Sequence, residues 1–181
     1  PATLAALLAR APTARPAHEQ SRVEPWRERV LALHEQGVEG QAIWQLLVEE
    51  HDFTGSYSSV KRFLRRAAEM SAQGHIRAMQ AAAPGKWEFE VQAALDGFCA
   101  KNDSRRMAYP SIAGSGPNSG ILHYHQSDRQ MKDGEVLLND SGCEYGLYAT
   151  DITRTYPVNG KFSPEQRAIY DIVLQAQKNA L

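Results

Sequence analysis

Asp140 and Asp151 are the residues of this 181-residue chain whose type and spacing point most directly to chemistry. Each lies at or near the end of a strand-like run, the first over Glu135–Asn139 and the second over Glu144–Tyr156. The segment Ser141-Gly142-Cys143-Glu144-Tyr145 between them is tight enough for a hairpin, so two antiparallel strands are expected to set both carboxylates on one face. Like charges held that close repel each other unless a cation or a shared proton compensates. Hard oxygen donors suit Mg, Mn, Ca or Zn. By spacing alone the plainer reading leads, because aspartates beside turns are commonly solvated turn formers.

The elements that must hold this pair follow from apolar periodicity. Pro25 opens a helix to about Gln36 with Trp26, Val30 and Leu33 on one face, and Gly37 ends it. A second helix covers Gly40 to His51, with Ile43, Trp44, Leu46, Leu47 and Val48 apolar, and residues 52–56 form a turn. Ser56 or Ser58 caps a third helix carrying Val60, Phe63, Leu64 and Ala67. Its apolar spacing runs on through Ile76 and Met79 until Pro84-Gly85. The sequence therefore predicts one long helix over 58–83, tolerating Gly74 at about 1 kcal/mol. Trp87 to about Lys101 is a further helix. Residues 109–126 are rich in Gly, Pro, Ser and Asn, and their glycines are expected to let backbone pass close to the site. They do not form a nucleotide loop, since strand–helix context is lacking and Pro117 opposes helix entry. A last helix begins at Ser163-Pro164-Glu165-Gln166, a capping box, with Ile169, Tyr170, Val173, Leu174 and Ala176 as its apolar face. Residues 1–24 read as a short helix and a proline-broken linker.

Composition sets outer limits. With 43% hydrophobic and 23% charged residues, the chain is an ordinary globular sequence. A net charge of −1 argues against a strongly basic nucleic-acid binder, leaving only local charge clusters for that purpose. Cys99 and Cys143 lack CxxC spacing, which excludes a zinc ribbon and fits reduced thiols in a cytoplasmic protein. No apolar run is long enough to span a bilayer, so no membrane partner is expected.

The strings around the aspartates carry a family resemblance. Gly114-Ser-Gly-Pro-Asn-Ser-Gly-Ile-Leu-His-Tyr124, Met131-Lys-Asp-Gly-Glu-Val-Leu-Leu-Asn-Asp-Ser-Gly-Cys-Glu-Tyr145 and Tyr148-Ala-Thr-Asp-Ile-Thr-Arg-Thr-Tyr-Pro-Val-Asn-Gly-Lys-Phe162 resemble the pita-bread metallopeptidases, and within them aminopeptidase P. That resemblance implies a dinuclear divalent-metal site, usually manganese, which activates water against the bond between an N-terminal residue and a following proline. By motif match Asp140 is a ligand of one metal, Asp151 bridges both, and His123 contacts substrate and stabilises the tetrahedral intermediate. His125 takes no role in the motif. Asn139 stands where the family has an apolar residue and Ser141 where alanine is common, and a polar group on the strand's buried side needs a partner. The family site also needs a histidine and two glutamates from the second half of its domain. The chain is thus expected to be a truncated first half, binding divalent ions weakly and inactive as a peptidase by itself. Its uncovered face could pair two copies.

Trp26 to Arg66 resembles the DNA-binding region of IstA-type insertion-sequence transposases, on the string Glu39 to Arg66. What it implies is a helix-turn-helix whose second helix presents Tyr57, Ser58, Ser59, Lys61, Arg62, Arg65 and Arg66 to DNA. The expected fold is α+β: a short helix and linker over 1–24, a small all-α helix-turn-helix region over 25–66, and the first half of a pita-bread domain over 67–181, joined by the long helix. Two such resemblances in one chain suggest a fusion. A DNA-binding module with a passenger peptidase fragment is the alternative function.

Overall fold

The computed structural model describes residues 21–145 and 148–180. The short helix and most of the linker expected over 1–24 lie outside them. A 3-10 turn at Glu24–Trp26 leads into α1 (Arg27–Glu35), which stops at Gly37 with φ near +80°. Then come α2 (Gly40–His51) and α3 (Tyr57–Ala81), a single 25-residue helix without a break. Its buried positions Val60, Phe63, Ala67, Met70, Ser71, Gly74, His75 and Ala78 recur every three or four residues, the stripe a helix must bury. The boundary proposed at residue 66 falls inside this helix.

Against the stripe packs α4 (Glu88–Lys101), through Val91, Leu95 and Cys99. A Cβ at Gly74 would lie 3.0 Å from Leu95 Cγ and 3.3 Å from Cys99 Sγ. Gly74 therefore marks the closest approach of the two helices. The helix runs through Gly74 as expected, and the packing adds a close approach that a Cβ would crowd.

Two small antiparallel sheets complete the molecule. One joins β2 (Ile112–Ser115), β3 (Val136–Asp140) and β6 (Thr153–Pro157), and the other joins β1 (Arg106–Met107), β4 (Cys143–Tyr145) and β5 (Tyr148–Ala149). The expected tight hairpin between the two aspartates is not what forms. Asp140 pairs with Thr153 in the β3–β6 ladder, and the connection 141–152 leaves that sheet to build β4 and β5 in the other. Cys143 and Tyr145 are apolar enough to be buried against α3, and this pulls the chain out of the first sheet.

Buried polar groups fix how the helices meet the loops. Glu88, fully buried at the start of α4, accepts from Ser115 N (2.6 Å), Ser115 Oγ (2.8 Å), Tyr124 Oη (2.7 Å), Arg129 N (3.2 Å) and Asn118 Nδ2. One carboxylate thus gathers the whole segment 115–129. On α3, buried His75 donates from Nε2 to the Ser141 carbonyl at 3.0 Å. Burial holds its pKa below the ordinary 6.5, so the ring is neutral in the folded state.

The last helix, α5 (Pro164–Ala180), starts with the expected capping box: Gln166 N donates to Ser163 Oγ and Ser163 N to Gln166 Oε1. Ile169, Ile172 and Val173 on it stay exposed, and among the described residues none of its side chains is buried.

Two outcomes follow from these buried groups. Glu88→Gln sets amide hydrogens against backbone and hydroxyl donors, and should lower the unfolding free energy by about 3 kcal/mol in denaturant titration. A loss below about 0.5 kcal/mol would show that the loop is held by something else. For His75 the folded pKa lies below the unfolded one, so the stability it confers is full above about pH 6.5 and falls as acid approaches the depressed value. The slope is at most about 1.4 kcal/mol per pH unit. His75→Gln should flatten the acid limb of the stability curve, and an equally steep limb in the variant would exclude His75 as its source.

Candidate metal centre

The aspartates meet where the chain crosses itself. Leaving Asp140, the backbone of Ser141 donates to the Ile152 carbonyl at 3.1 Å. At Gly142 it passes so close to Thr150 that a Cβ would lie 1.7 Å from the Thr150 carbonyl oxygen. Only glycine fits there. Thr150 N in turn donates to the Cys143 carbonyl at 3.2 Å. The residues just after Asp140 and just around Asp151 are thereby stitched together, although β4 and β5 intervene in sequence.

One hydroxyl links the two carboxylates. Tyr109 Oη lies 2.5 Å from Asp140 Oδ1 and 3.0 Å from Asp151 Oδ1. A hydroxyl has one proton to donate, so it serves one carboxylate at a time, and the shorter contact favours Asp140. Burial first, then the Asp140 hydrogen bond and charge, push the Tyr109 pKa above its ordinary value, so the group remains a donor. Tyr109 escaped the sequence reading because it sits in a Gly/Pro/Ser/Asn-rich stretch. The available signal was its place three residues before Ile112, the strand partner of Asp140.

The polar pair beside the site partners itself. Asn139 and Ser141 are both buried, and Ser141 Oγ donates to Asn139 Oδ1 at 2.9 Å. The other end of the amide, Asn139 Nδ2, is buried without a hydrogen-bond partner among the described residues, as is Tyr156 Oη. Burial drives the Tyr156 hydroxyl above its ordinary pKa, so it too stays protonated.

His123 lies elsewhere on the surface of the same region. It is exposed, with φ near +52°, in the loop whose base is tied to Glu88 through buried Tyr124. Among the described residues no hydrogen bond joins it to Asp140 or Asp151. His125 is exposed as well. The structure thus brings together two of the three expected site residues and leaves the third on a separately anchored loop.

The donor chemistry fits part of a divalent-cation site: two carboxylates in reach of one point, on a surface open at Asp151. Among the described residues no group of three or more His, Cys, Asp or Glu side chains converges on a common position. The basic set on α3 is placed differently. Lys61, Arg62, Arg65 and Ser58 are exposed, and Tyr57 and Ser59 are partly covered. Arg66 is engaged, stacking over the Tyr145 ring at 4.6 Å with Asp103 at 3.7 Å. No described helix is long and apolar enough to cross a membrane.

Known proteins match this segment. The Xaa-Pro aminopeptidases of Haemophilus influenzae and Escherichia coli are 42% and 43% identical over 138 residues. Those alignments cover 76% of this chain but only 32% and 31% of the relatives, so the chain spans about a third of the length of the curated relatives it matches. Among solved structures, zinc-substituted E. coli aminopeptidase P in complex with product superposes with a TM-score of 0.64 at 46% identity, over 66% of this chain and 27% of that one. Proline aminopeptidase P II from Yersinia pestis gives 0.64 at 48% identity with the same coverage. Residues 62–181, which contain the crossing, Tyr109 and both aspartates, match the family described as metallopeptidase family M24, and the chain belongs to it.

Proposed function

We propose that residues 62–181 supply the first carboxylate ligands of an aminopeptidase P-type metal site, in a protein that removes an N-terminal residue preceding proline. The observation that carries this reading is the pairing of Asp140 and Asp151 about the Tyr109 hydroxyl, at a crossing that only Gly142 permits. Asp140, at the end of β3, and Asp151, on the open side, are the residues that would hold the divalent ions. Carboxylate oxygens favour a hard divalent ion, with manganese foremost. When bound, such ions lower the pKa of water and polarise a scissile carbonyl. Tyr109 keeps the two acidic groups together and oriented, as supporting hydrogen bonds do around metal ligands. By motif match, His123 is the donor that would stabilise the negative oxygen developing when a peptide carbonyl is attacked, although its loop, tied at its base to Glu88, stands apart from the aspartates. Peptides with proline second are the substrate class, by likeness to the relatives named above.

Among the described residues only two carboxylates meet at the crossing, so the chain by itself is expected to hold an ion weakly and to leave peptide uncleaved.

Titrating the purified chain with manganese should broaden the amide resonances at Asp140 and Asp151, with a dissociation constant on the order of 1 mM, as expected for hard-ion sites with few charged ligands. Asp140→Asn and Asp151→Asn should each abolish the effect, and the unaltered chain should leave an Xaa-Pro peptide intact in a chromatographic assay. Broadening elsewhere only, or efficient cleavage, would defeat the assignment. Tyr109→Phe removes the shared donor from two neighbouring negative charges. Without divalent ions it should destabilise the chain by about 1 kcal/mol in denaturant titration. A variant as stable as the parent would mean the hydroxyl does not relieve that repulsion.

A further inference from the structure

The excursion between the two aspartates is structurally thin. β4 and β5 are joined by only two register pairs, Glu144↔Ala149 and Tyr145↔Tyr148, and β1 adds two more on the other edge. Hairpins this short are not stable alone in water. Their order must come from what packs on them: α3, through Ala67 and Ser71 on Cys143, and the helical unit before it, through Arg27 and His34.

Tyr145, 4% exposed, carries two guanidinium groups on its ring: Arg27 Cζ lies 4.7 Å and Arg66 Cζ 4.6 Å from the ring centroid. Two cations on one ring repel each other, and each has its own acid. Glu24 bonds Arg27 Nε at 2.6 Å, and Asp103 lies 3.7 Å from Arg66. Arg27 also donates to Tyr145 Oη at 3.0 Å, so the residue is held at its ring and at its hydroxyl. Phe63 meets it edge-on at 6.3 Å, and next along the hairpin His34 stacks on Tyr148 at 5.1 Å, the rings within 3° of parallel. Glu24, Arg27 and His34 all lie before residue 62, where the family match begins.

We infer that Tyr145, clasped by Arg27 and Arg66, is a positioning residue for the aspartate pair, through which the helical unit preceding the family match holds the β4–β5 excursion in place. The inference rests on the proposed metal role of Asp140 and Asp151. Its physical content is that an ordered excursion adds to the hold that Ser71 and His75 on α3 have on the crossing at Gly142 and Thr150. None of the clasp residues touches either aspartate. The basic helix face is engaged inward at Arg66 by the same contacts.

The experiment compares the unaltered chain with Tyr145→Leu, Tyr145→Phe and Val91→Ala. Two readouts are taken: manganese-induced broadening at Asp140 and Asp151, and amide hydrogen exchange at Cys143, Tyr145 and Thr150. Tyr145→Leu should weaken manganese binding by about tenfold, the lower end of what losing a supporting shell does, and should speed exchange at the three amides. Tyr145→Phe keeps the stacked cations and should stay within about twofold of the parent, since the ring face carries most of the attraction. Val91→Ala, a core truncation in α4, should lower global stability without selectively weakening manganese binding. Should Tyr145→Leu fail to fold, Arg27→Met removes one side of the clasp and should show the same pattern in smaller measure. Unchanged exchange and affinity in Tyr145→Leu, or an equal loss of affinity in Val91→Ala, would overturn the positioning role. If the unaltered chain shows no broadening at the aspartates, the metal assignment fails by itself, while the exchange comparison still decides whether the clasp orders the excursion.

Discussion

Two negative charges cannot be brought together in a protein without something between them, and every nearby feature of this chain answers that constraint. The backbone does the bringing: Gly142 lets the strand leaving Asp140 run against the Thr150 carbonyl, and Ser141 bonds across to Ile152. The Tyr109 hydroxyl does the compensating, offering one proton to two acceptors. A hydroxyl donor relieves only part of the repulsion, because it brings a dipole where a cation would bring a full charge. That leaves residual negative charge at the pair, the property on which the proposed divalent-ion role rests.

The supports of the site are buried polar groups on helices rather than further strands. The long α3 contributes Ser71, which takes the Cys143 amide at 2.9 Å, and His75, which takes up the Ser141 carbonyl, so one helix anchors the chain on both sides of Gly142. Helix α4 contributes Glu88, which does for the 115–129 segment what His75 does for residue 141. Such groups specify a geometry strongly, because any other arrangement would strand a charge or a carbonyl away from water. The incomplete cases lie close by: Asn139 Nδ2 and Tyr156 Oη are buried unpaired on neighbouring strands of one sheet. There the two buried polar residues Asn139 and Ser141 bond to each other. Their mutual bond is how this polar pair is accommodated away from water.

Helix positions were readable along the chain because apolar spacing and punctuation agree. Gly37, the turn at 52–56 and Pro84-Gly85 stop the helices where expected, and the uninterrupted run through Arg65–Ala72 gives the single long α3. The capping box at Ser163 was legible for the same reason, being a contact between residues three apart. The two aspartates that the structure brings together about Tyr109 were singled out by the strings that surround them. The helix tolerates Gly74 as expected, but its packing role was not legible, since helix propensity describes a residue's own backbone while Leu95 and Cys99 approach it from another helix.

What the sequence by itself determined is therefore local: the helices, their caps, the strand-forming runs and the residue types able to take a hard cation. How those types meet was decided by the tertiary structure alone. The hairpin expected between Asp140 and Asp151 gives way to a chain crossing, because burying Cys143 and Tyr145 against α3 outweighs continuing the first sheet. Tyr109 becomes the shared donor, and Arg27 and Arg66 become partners of one aromatic ring, across separations of 31 to more than 100 residues. No periodicity encodes contacts at such range, since they arise only when separate elements compete for the same buried space.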